Sequence, residues 1–270
     1  MKGVIIAVGR EILTGKTLDT NSHWLAGELT ALGISIRRIC AVDDILEEIA
    51  GEISYTLSLG VDLVITTGGM GPTRDDMTLE AWASALGREL VLNREALGMV
   101  QEKYRTLYQR GYVDTPDITP EREKMAHLPQ GARPLPNPVG AAPGMLLEDG
   151  GRVFIALPGV PGEMKAIFHE DVVPLLSRLL EKRGEGGVLL QEVVKSGFGD
   201  ESLLWPLVKR VMDEMEGVYL KTLATRFGPD VDLEVRVEAW GRDEGEARDR
   251  LDRAVGRLKK VLEEARHAGD

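Results

Sequence analysis

The amino-acid sequence predicts an α/β protein with a mostly parallel sheet covered by helices on both faces, followed by a small α+β unit. Short apolar strands alternate with amphipathic helices over the first 67 residues, a pattern typical of parallel strands. A glycine-rich segment, GEGG (184–187), separates this part from the rest of the chain. Beyond it, VDLEVRVEA (231–239) alternates apolar and charged residues, so this strand is expected to pack through one face only.

The first part begins with regular strand and helix signals. Five elements are predicted in order: a strand over 3–9, a helix over 20–33, a strand over 34–42, a helix that follows Asp43 and Asp44 and ends at Gly60, and a strand over 61–67. Asp19 or Thr20 is expected to cap the first helix. Because the connections are short, the three strands should pair in parallel with their carboxyl ends at one edge.

The later elements are less regular. Helices are predicted over 77–86 and 95–109, then a connector rich in Pro and Gly (129–143), a hairpin over 146–157, and a helix opened by PGVPGEM that Pro174 kinks or restarts. After the glycine segment the predicted order is strand 188–195, helix 200–215, strand 218–223, strand 231–240 and helix 243–265. The predicted domains are therefore 1–183 and 188–270.

The composition excludes several classes of protein. The 270 residues include 33 Lys and Arg against 44 Asp and Glu, a net charge of −11. An acidic surface repels a phosphate backbone, so no nucleic-acid partner is expected. No run of about 18 uncharged apolar residues is present, so no membrane span is expected. With Cys40 as its single cysteine, one chain cannot form a disulfide or a zinc knuckle. We therefore expect a cytoplasmic protein.

The strongest local signal is TTGGMGPTRDDMTLE (66–80), where an apolar strand runs into a glycine-rich loop and then a helix. Glycines let peptide N–H groups approach a phosphate, and the carboxyl edge of a parallel sheet is where α/β proteins bind ligands. The loop is neither a Walker A motif nor GxGxxG. A tight turn with Asp75 or Asp76 as the helix cap is the structural alternative.

Two further loops should open at the same edge of the sheet. GREILTG (9–15) follows the first strand, and Asp43 and Asp44 follow the second. Carboxylates beside a phosphate are favourable only with a divalent cation between them. The arrangement therefore predicts a nucleotide-like phosphate ligand bridged by Mg²⁺ or a similar metal. The alternative is that Asp44 is simply a helix cap.

Five motifs in order resemble one family. They are GREILTGKTLDTN, AVDDILEEI, TTGGMGPTRDDMT, EREKMAHLPQGARPLPNPVGAAPGM and LPGVPGEM. In order and spacing the chain resembles the CinA-type (competence/damage-inducible protein A) branch of the molybdopterin-binding superfamily, which also holds MoaB, MogA and MoeA. The resemblance spans residues 3 to about 183 and implies a three-layer α/β/α sandwich. Residues 188–270 resemble the small KH-like domain that follows it in CinA relatives.

The resemblance also implies roles for individual residues. Asp76 matches the essential aspartate of MogA-like members, and Asp44 matches a second acidic position, so both are expected to act in catalysis and to bind the metal. Lys124 is also expected to act in catalysis, by offering a positive charge to a pyrophosphate. The expected substrate- and phosphate-binding residues are Gly9, Glu11, Thr67, Gly68, Gly69, Gly71, Pro72, Thr73, Asn137, Gly140, Pro158 and Gly159.

Some positions depart from the family pattern. Arg10 stands where many relatives have Asp or Thr, so it favours contact with a phosphate rather than a metal. Met70 and Glu123 are further departures. Full-length CinA proteins carry a further C-terminal amidase domain, and we do not expect its deamidation activity from this chain. RNA binding by the KH-like part is not expected, because 188–270 holds 14 Lys and Arg against 18 Asp and Glu and has no GxxG loop between helices.

The leading functional hypothesis is a metal-dependent nucleotide pyrophosphatase acting on ADP-ribose- or FAD-like diphosphates, as the resemblance implies. Mg²⁺ or a Co²⁺- or Ni²⁺-like ion is the expected cofactor, with K⁺ as an additional candidate, and Asp76 or Asp75 is the candidate general base. One alternative is a molybdopterin-binding or adenylyl-transferring protein of cofactor biosynthesis. Another is a non-enzymatic module that binds a nucleotide or pterin. The expected assembly is a homo-oligomer, a dimer or trimer.

Overall fold

The computed structural model describes residues 1–223 and 232–267, which form two compact units. The first comprises Met1–Thr30 and Ile34–Lys182, and the second comprises Ala31–Gly33 and the described residues from Arg183 onwards. No helix in this described part of the chain combines the length and the apolar character needed to cross a bilayer.

The first unit begins with the alternation that the sequence predicts. Its elements are β1 (Lys2–Val8), a short α1 (Arg10–Leu13), α2 (Thr20–Ala31), β2 (Ser35–Val42), α3 (Leu46–Ser58), β3 (Leu63–Thr67) and α4 (Thr78–Leu86). The Asp19 side chain accepts the Ser22 N–H at 2.9 Å, which confirms its predicted capping role. The turn α1 lies in a segment where the sequence predicts only a loop.

The second half of this unit contains shorter elements. They are β4 (Leu90–Leu92), α5 (Arg94–Gln109), α6 (Pro120–Lys124), β5 (His127–Pro129), β6 (Arg133–Leu135), β7 (Gly144–Asp149), β8 (Arg152–Leu157), α7 (Pro161–Ile167) and α8 (Val173–Arg183). The predicted hairpin is β7–β8, and Gly150 and Gly151 both adopt positive φ in its turn. Strands β4 and β5 form a separate antiparallel ribbon.

The main sheet has the strand order β2-β1-β3-β8-β7-β6. The pairs β1–β2, β1–β3 and β3–β8 are parallel, whereas β7 pairs antiparallel with both β8 and β6. Ala7 lies opposite Ala41 and Thr67, and Thr67 lies opposite Leu157. The carboxyl ends of four neighbouring strands therefore meet at one edge of the sheet, where the site is built.

Both faces of this sheet are buried. Val4 and Ile6 of β1 pack in one cluster with Ile49 of α3 and Trp82 of α4, whereas Ile5 points to the opposite face and is also fully buried. The Trp82 indole N–H donates to the Thr66 hydroxyl at 2.9 Å, so the one polar atom of this large core side chain is satisfied. The predicted three-layer sandwich with a mostly parallel sheet is confirmed.

Between α7 and α8 the helix is interrupted by a π-helical turn over Phe168–Val172. Pro174 follows directly and cannot donate a backbone hydrogen bond to the preceding turn. The structure thus confirms the predicted restart of this helix, and the wider turn accommodates the proline without ending the element.

The second unit contains β9 (Val188–Lys195), α9 (Glu201–Glu214), β10 (Val218–Leu223), β11 (Glu234–Gly241) and α10 (Glu244–His267). Its antiparallel sheet has the order β10-β11-β9. As predicted, Leu233, Val235, Val237 and Ala239 are buried. Asp200 caps α9 by accepting the Ser202 N–H. The predicted start of the last strand at Val231 lies outside the described residues.

Candidate functional site

A cleft of about 650 Å³ opens at the carboxyl edge of the main sheet. The loops after β1, β2, β3 and β8 contribute to its walls, which is where α/β proteins bind ligands. The structure brings these predicted site residues together in its lining: Gly9, Glu11, Asp44, Gly68, Gly69, Gly71, Pro72, Asp76, Pro158 and Gly159. Of the remaining predictions, Thr67, Thr73, Lys124, Asn137 and Gly140 lie around the cleft rather than in its lining.

The glycines after β3 are required by geometry. Gly68 has φ +103°, and a Cβ there would overlap the carbonyl oxygen of Val8. Gly69 has φ +63°, and a Cβ there would crowd the Thr78 hydroxyl. That hydroxyl donates to the Gly68 carbonyl at 2.8 Å, and the Thr78 N–H donates to the Gly69 carbonyl at 3.0 Å. The first residue of α4 therefore holds the glycine loop in place.

The same loop leaves several peptide donors unused. The N–H groups of Gly69, Met70 and Gly71 form no hydrogen bond with any described residue, and neither do those of Gly159 and Val160 after β8. All five residues line the cleft. Peptide N–H groups left unpaired at the end of a strand are the donors that proteins use to bind phosphate oxygens. The cleft is thus equipped to accept an anionic group.

Asp44 connects the loops after β1 and β2. Its Oδ2 accepts the Arg10 N–H at 2.8 Å, while the neighbouring Asp43 forms an ion pair with the Arg10 guanidinium at 2.9 Å. Helix α3 begins after Ile45 and has no side-chain cap. The alternative that Asp44 only caps a helix is therefore wrong. The Arg10 guanidinium, expected to favour a phosphate, is paired with a carboxylate instead.

The pKa values of the two aspartates shift in opposite directions. Burial raises the pKa of Asp44. The hydrogen bond from the Arg10 N–H lowers it, whereas the nearby negative charges of Glu11, Asp75 and Asp43 raise it further. The hydrogen bond from Arg10 lowers the pKa of Asp43. Asp44 is thus a carboxylate whose negative charge is poorly compensated by the protein, and a cation beside it would be stabilised.

Asp76 is held by the loop that precedes it. Its Oδ2 accepts both the N–H of Thr73 at 2.9 Å and the Thr73 hydroxyl at 2.6 Å. Helix α4 begins after Met77 without a side-chain cap, so the predicted capping alternative for Asp75 or Asp76 is also wrong. The Thr73 hydroxyl lowers the pKa of Asp75. Both aspartates line the cleft as acceptors.

Lys124 and Thr67 support this wall from outside. The Lys124 ammonium donates to the Thr73 carbonyl and lines an adjoining pocket that shares Asp76 with the cleft. Thr67 is buried at the end of β3, where its hydroxyl donates to the Pro158 carbonyl at 3.1 Å and accepts from the Asn21 amide at 3.1 Å. These contacts couple the loops after β3 and β8.

Asn137 and Gly140 act on the opposite wall. The Asn137 amide donates to Glu163 Oε2 at 2.7 Å, and its carbonyl oxygen accepts the Gly140 N–H at 2.7 Å. Glu163 lines the cleft from the first turn of α7. It belongs to the motif LPGVPGEM, in which a role was predicted only for Pro158 and Gly159. No role was predicted for Asn21 of α2, although it ends the motif GREILTGKTLDTN, or for Tyr104 of α5, which lies in no motif.

The lining carries one sign of charge. Among the described residues it includes five carboxylates and no Lys, Arg or His; the acids are Glu11, Asp44, Asp75, Asp76 and Glu163. In the described part of the chain, no group of three or more His, Cys, Asp or Glu side chains is arranged to hold a metal ion. Asp44 and Asp76 each bring carboxylate oxygens to the cleft, the ligand type that divalent cations such as Mg²⁺ take in proteins.

Comparison with known proteins agrees with this geometry. The family model described as "Probable molybdopterin binding domain" matches residues 4–178. A protein of Pyrobaculum calidifontis is 43% identical over 259 residues, covering 96% of this chain and 94% of its own length. A protein of Thermococcus kodakarensis is 38% identical over 242 residues, covering 90% of this chain and 91% of its own.

Among solved structures, the chain is similar to the protein CinA "with unknown function" from Thermoplasma acidophilum. The two share 39% sequence identity with a TM-score of 0.57, and the match covers 68% of this chain and 98% of that one. Residues 4–178, which the family model matches, include every residue that lines the cleft. The chain therefore belongs to the molybdopterin-binding family, and its similarity to CinA makes it a CinA-type member.

Proposed function

We propose that the cleft binds a phosphorylated pterin of the molybdopterin class, or its nucleotide adduct, and that the chain serves in the biosynthesis of that cofactor. The observation that carries this proposal is the row of unpaired N–H groups at Gly69, Met70 and Gly71 beside a cleft of about 650 Å³. That volume is typical of small-molecule sites. Family membership supplies the class of ligand.

The phosphate of such a ligand requires hydrogen-bond donors and its pterin ring requires apolar surface, and the cleft has both. The glycine loop after β3 and the loop after β8 supply peptide donors for phosphate oxygens. Apolar surface from Val160 and the prolines of the lining can pack against a planar ring. A ligand with a phosphate attached to a bicyclic ring would use both parts of the cleft.

The test is a direct titration of the protein with a phosphorylated pterin and with the same pterin lacking its phosphate, followed by calorimetry. We expect the phosphorylated compound to bind at least about 10-fold more tightly, because only it engages the unpaired N–H groups. Equal affinity for the two compounds, or no binding of either, would contradict the proposal. Glucose 6-phosphate serves as the control for binding through phosphate alone.

A second candidate function is the metal-dependent hydrolysis of an ADP-ribose- or FAD-like diphosphate. The acidic lining of the cleft favours it, since five carboxylates with no basic side chain among the described residues would repel a diphosphate in the absence of a cation. A divalent cation, when bound, would neutralise the diphosphate and polarise an attacking water. We propose Asp44 and Asp76 as the residues that hold it.

The remaining steps of hydrolysis would depend on residues of the chain. The unpaired N–H groups of the glycine loop would stabilise charge that develops on the phosphate oxygens. Thr73 fixes the orientation of Asp76 through two hydrogen bonds, and Lys124 fixes Thr73 through its carbonyl. Asp75, which lines the cleft beside Asp76, is the candidate general base that would accept a proton from water.

Hydrolysis is tested by incubating the protein with ADP-ribose or FAD and Mg²⁺, Co²⁺ or Ni²⁺, and measuring AMP. This candidate predicts AMP release that EDTA abolishes and that D76N lowers by at least about 100-fold. Absence of AMP with every metal would reject hydrolysis and leave pterin binding as the function. Cleavage that survives in D76N would reject the role of Asp76. The exposed aspartate variant D249N is the matched control.

A further inference from the structure

The carboxylate of Glu163 is held from one side by a closed set of hydrogen bonds centred on Asn137. The Asn137 carbonyl oxygen accepts the N–H groups of Val139 at 3.0 Å and Gly140 at 2.7 Å. Its amide nitrogen donates to the Ala142 carbonyl at 2.8 Å and to Glu163 Oε2 at 2.7 Å. The oxygen and the nitrogen of the Asn137 amide are therefore both hydrogen-bonded. Because the oxygen must accept from Val139 and Gly140, the amide can be oriented only with its nitrogen toward Glu163.

Gly140 fixes the position of the same carboxylate. A Cβ on Gly140 would overlap both oxygens and the carboxyl carbon of Glu163, so this carboxylate lies directly against the backbone of the loop. One side of the carboxylate thus faces Asn137 and Gly140, while the residue lines the cleft. Because an ionised carboxylate has about four lone-pair sites, the single bond from Asn137 leaves most of them for a ligand.

The chemistry of the cleft decides what that ligand group is. No Lys, Arg or His lies in the described lining, so the protein provides Glu163 with no cationic partner there. Glu163 is only half-buried, so a ligand that fills the cleft would displace water from this carboxylate and would have to supply hydrogen-bond donors in its place. The pyrimidine ring of a pterin carries two adjacent donors, the ring N3–H and the 2-amino group, whose spacing matches the two oxygens of a carboxylate.

We infer that Glu163 is the specificity-determining residue for the ring, accepting hydrogen bonds from the N3–H and 2-amino edge of a bound pterin. This inference rests on the proposed pterin-binding function. Adenine presents one amino donor beside an acceptor nitrogen on its corresponding edge, so it would satisfy only one oxygen and place a lone pair against the other. Glu163 therefore selects the pterin ring over adenine, and Asn137 is its positioning residue.

The experiment compares a phosphorylated pterin with the corresponding phosphorylated lumazine, in which an oxygen replaces the 2-amino group. Wild-type protein should bind the pterin at least about 10-fold more tightly, since hydrogen bonds to a charged group are among the stronger ones. In E163Q, one amide atom still accepts from Asn137, but the other becomes a donor that faces the 2-amino group. E163Q should therefore lose this preference, while E170Q, an exposed carboxylate variant in the same segment, should keep it.

The outcomes separate the inference from the function on which it rests. If wild-type protein binds both compounds equally well, or if E163Q retains the preference for the pterin, Glu163 does not recognise the 2-amino group of the ring. Either result overturns the inference and leaves the proposed pterin binding intact. If wild-type protein binds neither compound, the proposed function and the inference both fail. The wild-type comparison needs no variant, so equal binding of the two compounds overturns the inference even if E163Q does not fold.

Discussion

Gly68 is the residue at which the chain leaves β3 and enters the site. Its φ of +103° is a conformation that L side chains rarely adopt, and a Cβ there would overlap the Val8 carbonyl. We expect Gly68→Ala to lower the free energy of unfolding by at least about 2 kcal/mol, because backbone strain and a backbone clash act together. Urea denaturation followed by tryptophan fluorescence measures this change.

The matched control for this prediction is Gly27→Ala. Gly27 lies inside α2, and a Cβ added there meets no atom within 4 Å. This substitution should raise the free energy of unfolding by about 0.5–1 kcal/mol, since alanine loses less conformational entropy than glycine in a helix. A Gly68→Ala variant as stable as the wild type would show that the loop tolerates a side chain, and that its glycines are not required by geometry.

At the same scale, local sequence rules leave the role of Asp44 undecided. An aspartate between a strand and a helix satisfies the rules for a helix cap and for a site residue equally well. What decides between them is the Arg10 N–H, which lies 34 positions away in sequence and reaches Asp44 only because β1 and β2 pair in parallel. The role of such a residue follows from tertiary structure, which periodicity and capping signals do not contain.

At the scale of elements, one ion-pair cluster connects the two helices of the second unit. Glu214 at the end of α9 pairs with Arg257 of α10 at 2.6 Å and with Arg210 at 3.1 Å. These bonds lower the pKa of Glu214 to about 2, from an ordinary value of 4.5. A carboxyl whose pKa is lower in the folded state stabilises the fold above its unfolded pKa, and that contribution disappears as the pH falls through the folded pKa.

We therefore expect wild-type protein to lose stability between about pH 4.5 and pH 2 through this group, and E214Q to lose less over the same interval. The measurement is the urea midpoint of the second unit as a function of pH. E263Q, which removes an exposed carboxylate from α10, should follow the wild type. Parallel curves for E214Q and wild type would mean that Glu214 does not couple folding to pH.

Long periodic elements were predictable from the sequence, and short ones were not. The helices α3 and α4 and the strands β1 to β3 carry many apolar residues at regular spacing, so their type and order follow from periodicity. Strands β4, β5 and β6 are three residues long, and the last two contain Pro129 and Pro134. Three residues establish no period, so none of these strands is predicted from the sequence, and β6 falls within the predicted connector 129–143.

At the scale of the whole molecule, part of the negative charge of the chain is located in the candidate site. From the sequence alone, the net charge of −11 excludes only a nucleic-acid partner. The structure concentrates five of these acids in the lining of one cleft, among peptide donors suited to an anion. Convergence of the first three loops at one edge follows from parallel pairing alone. The wall formed by Glu163 and Asn137 could not be predicted in this way, since it depends on how α7 approaches the loop 136–143.

The unpaired N–H groups at Gly69, Met70 and Gly71 are proposed to bind the phosphate of a pterin ligand. The ¹H–¹⁵N amide spectrum of the protein during titration with a phosphorylated pterin observes these groups one by one. We expect the amides of these three residues to shift most strongly and those of Gly27 and Gly51, on helices away from the cleft lining, to stay in place. Amides of the glycine loop that remain unchanged at saturating ligand would contradict the proposal.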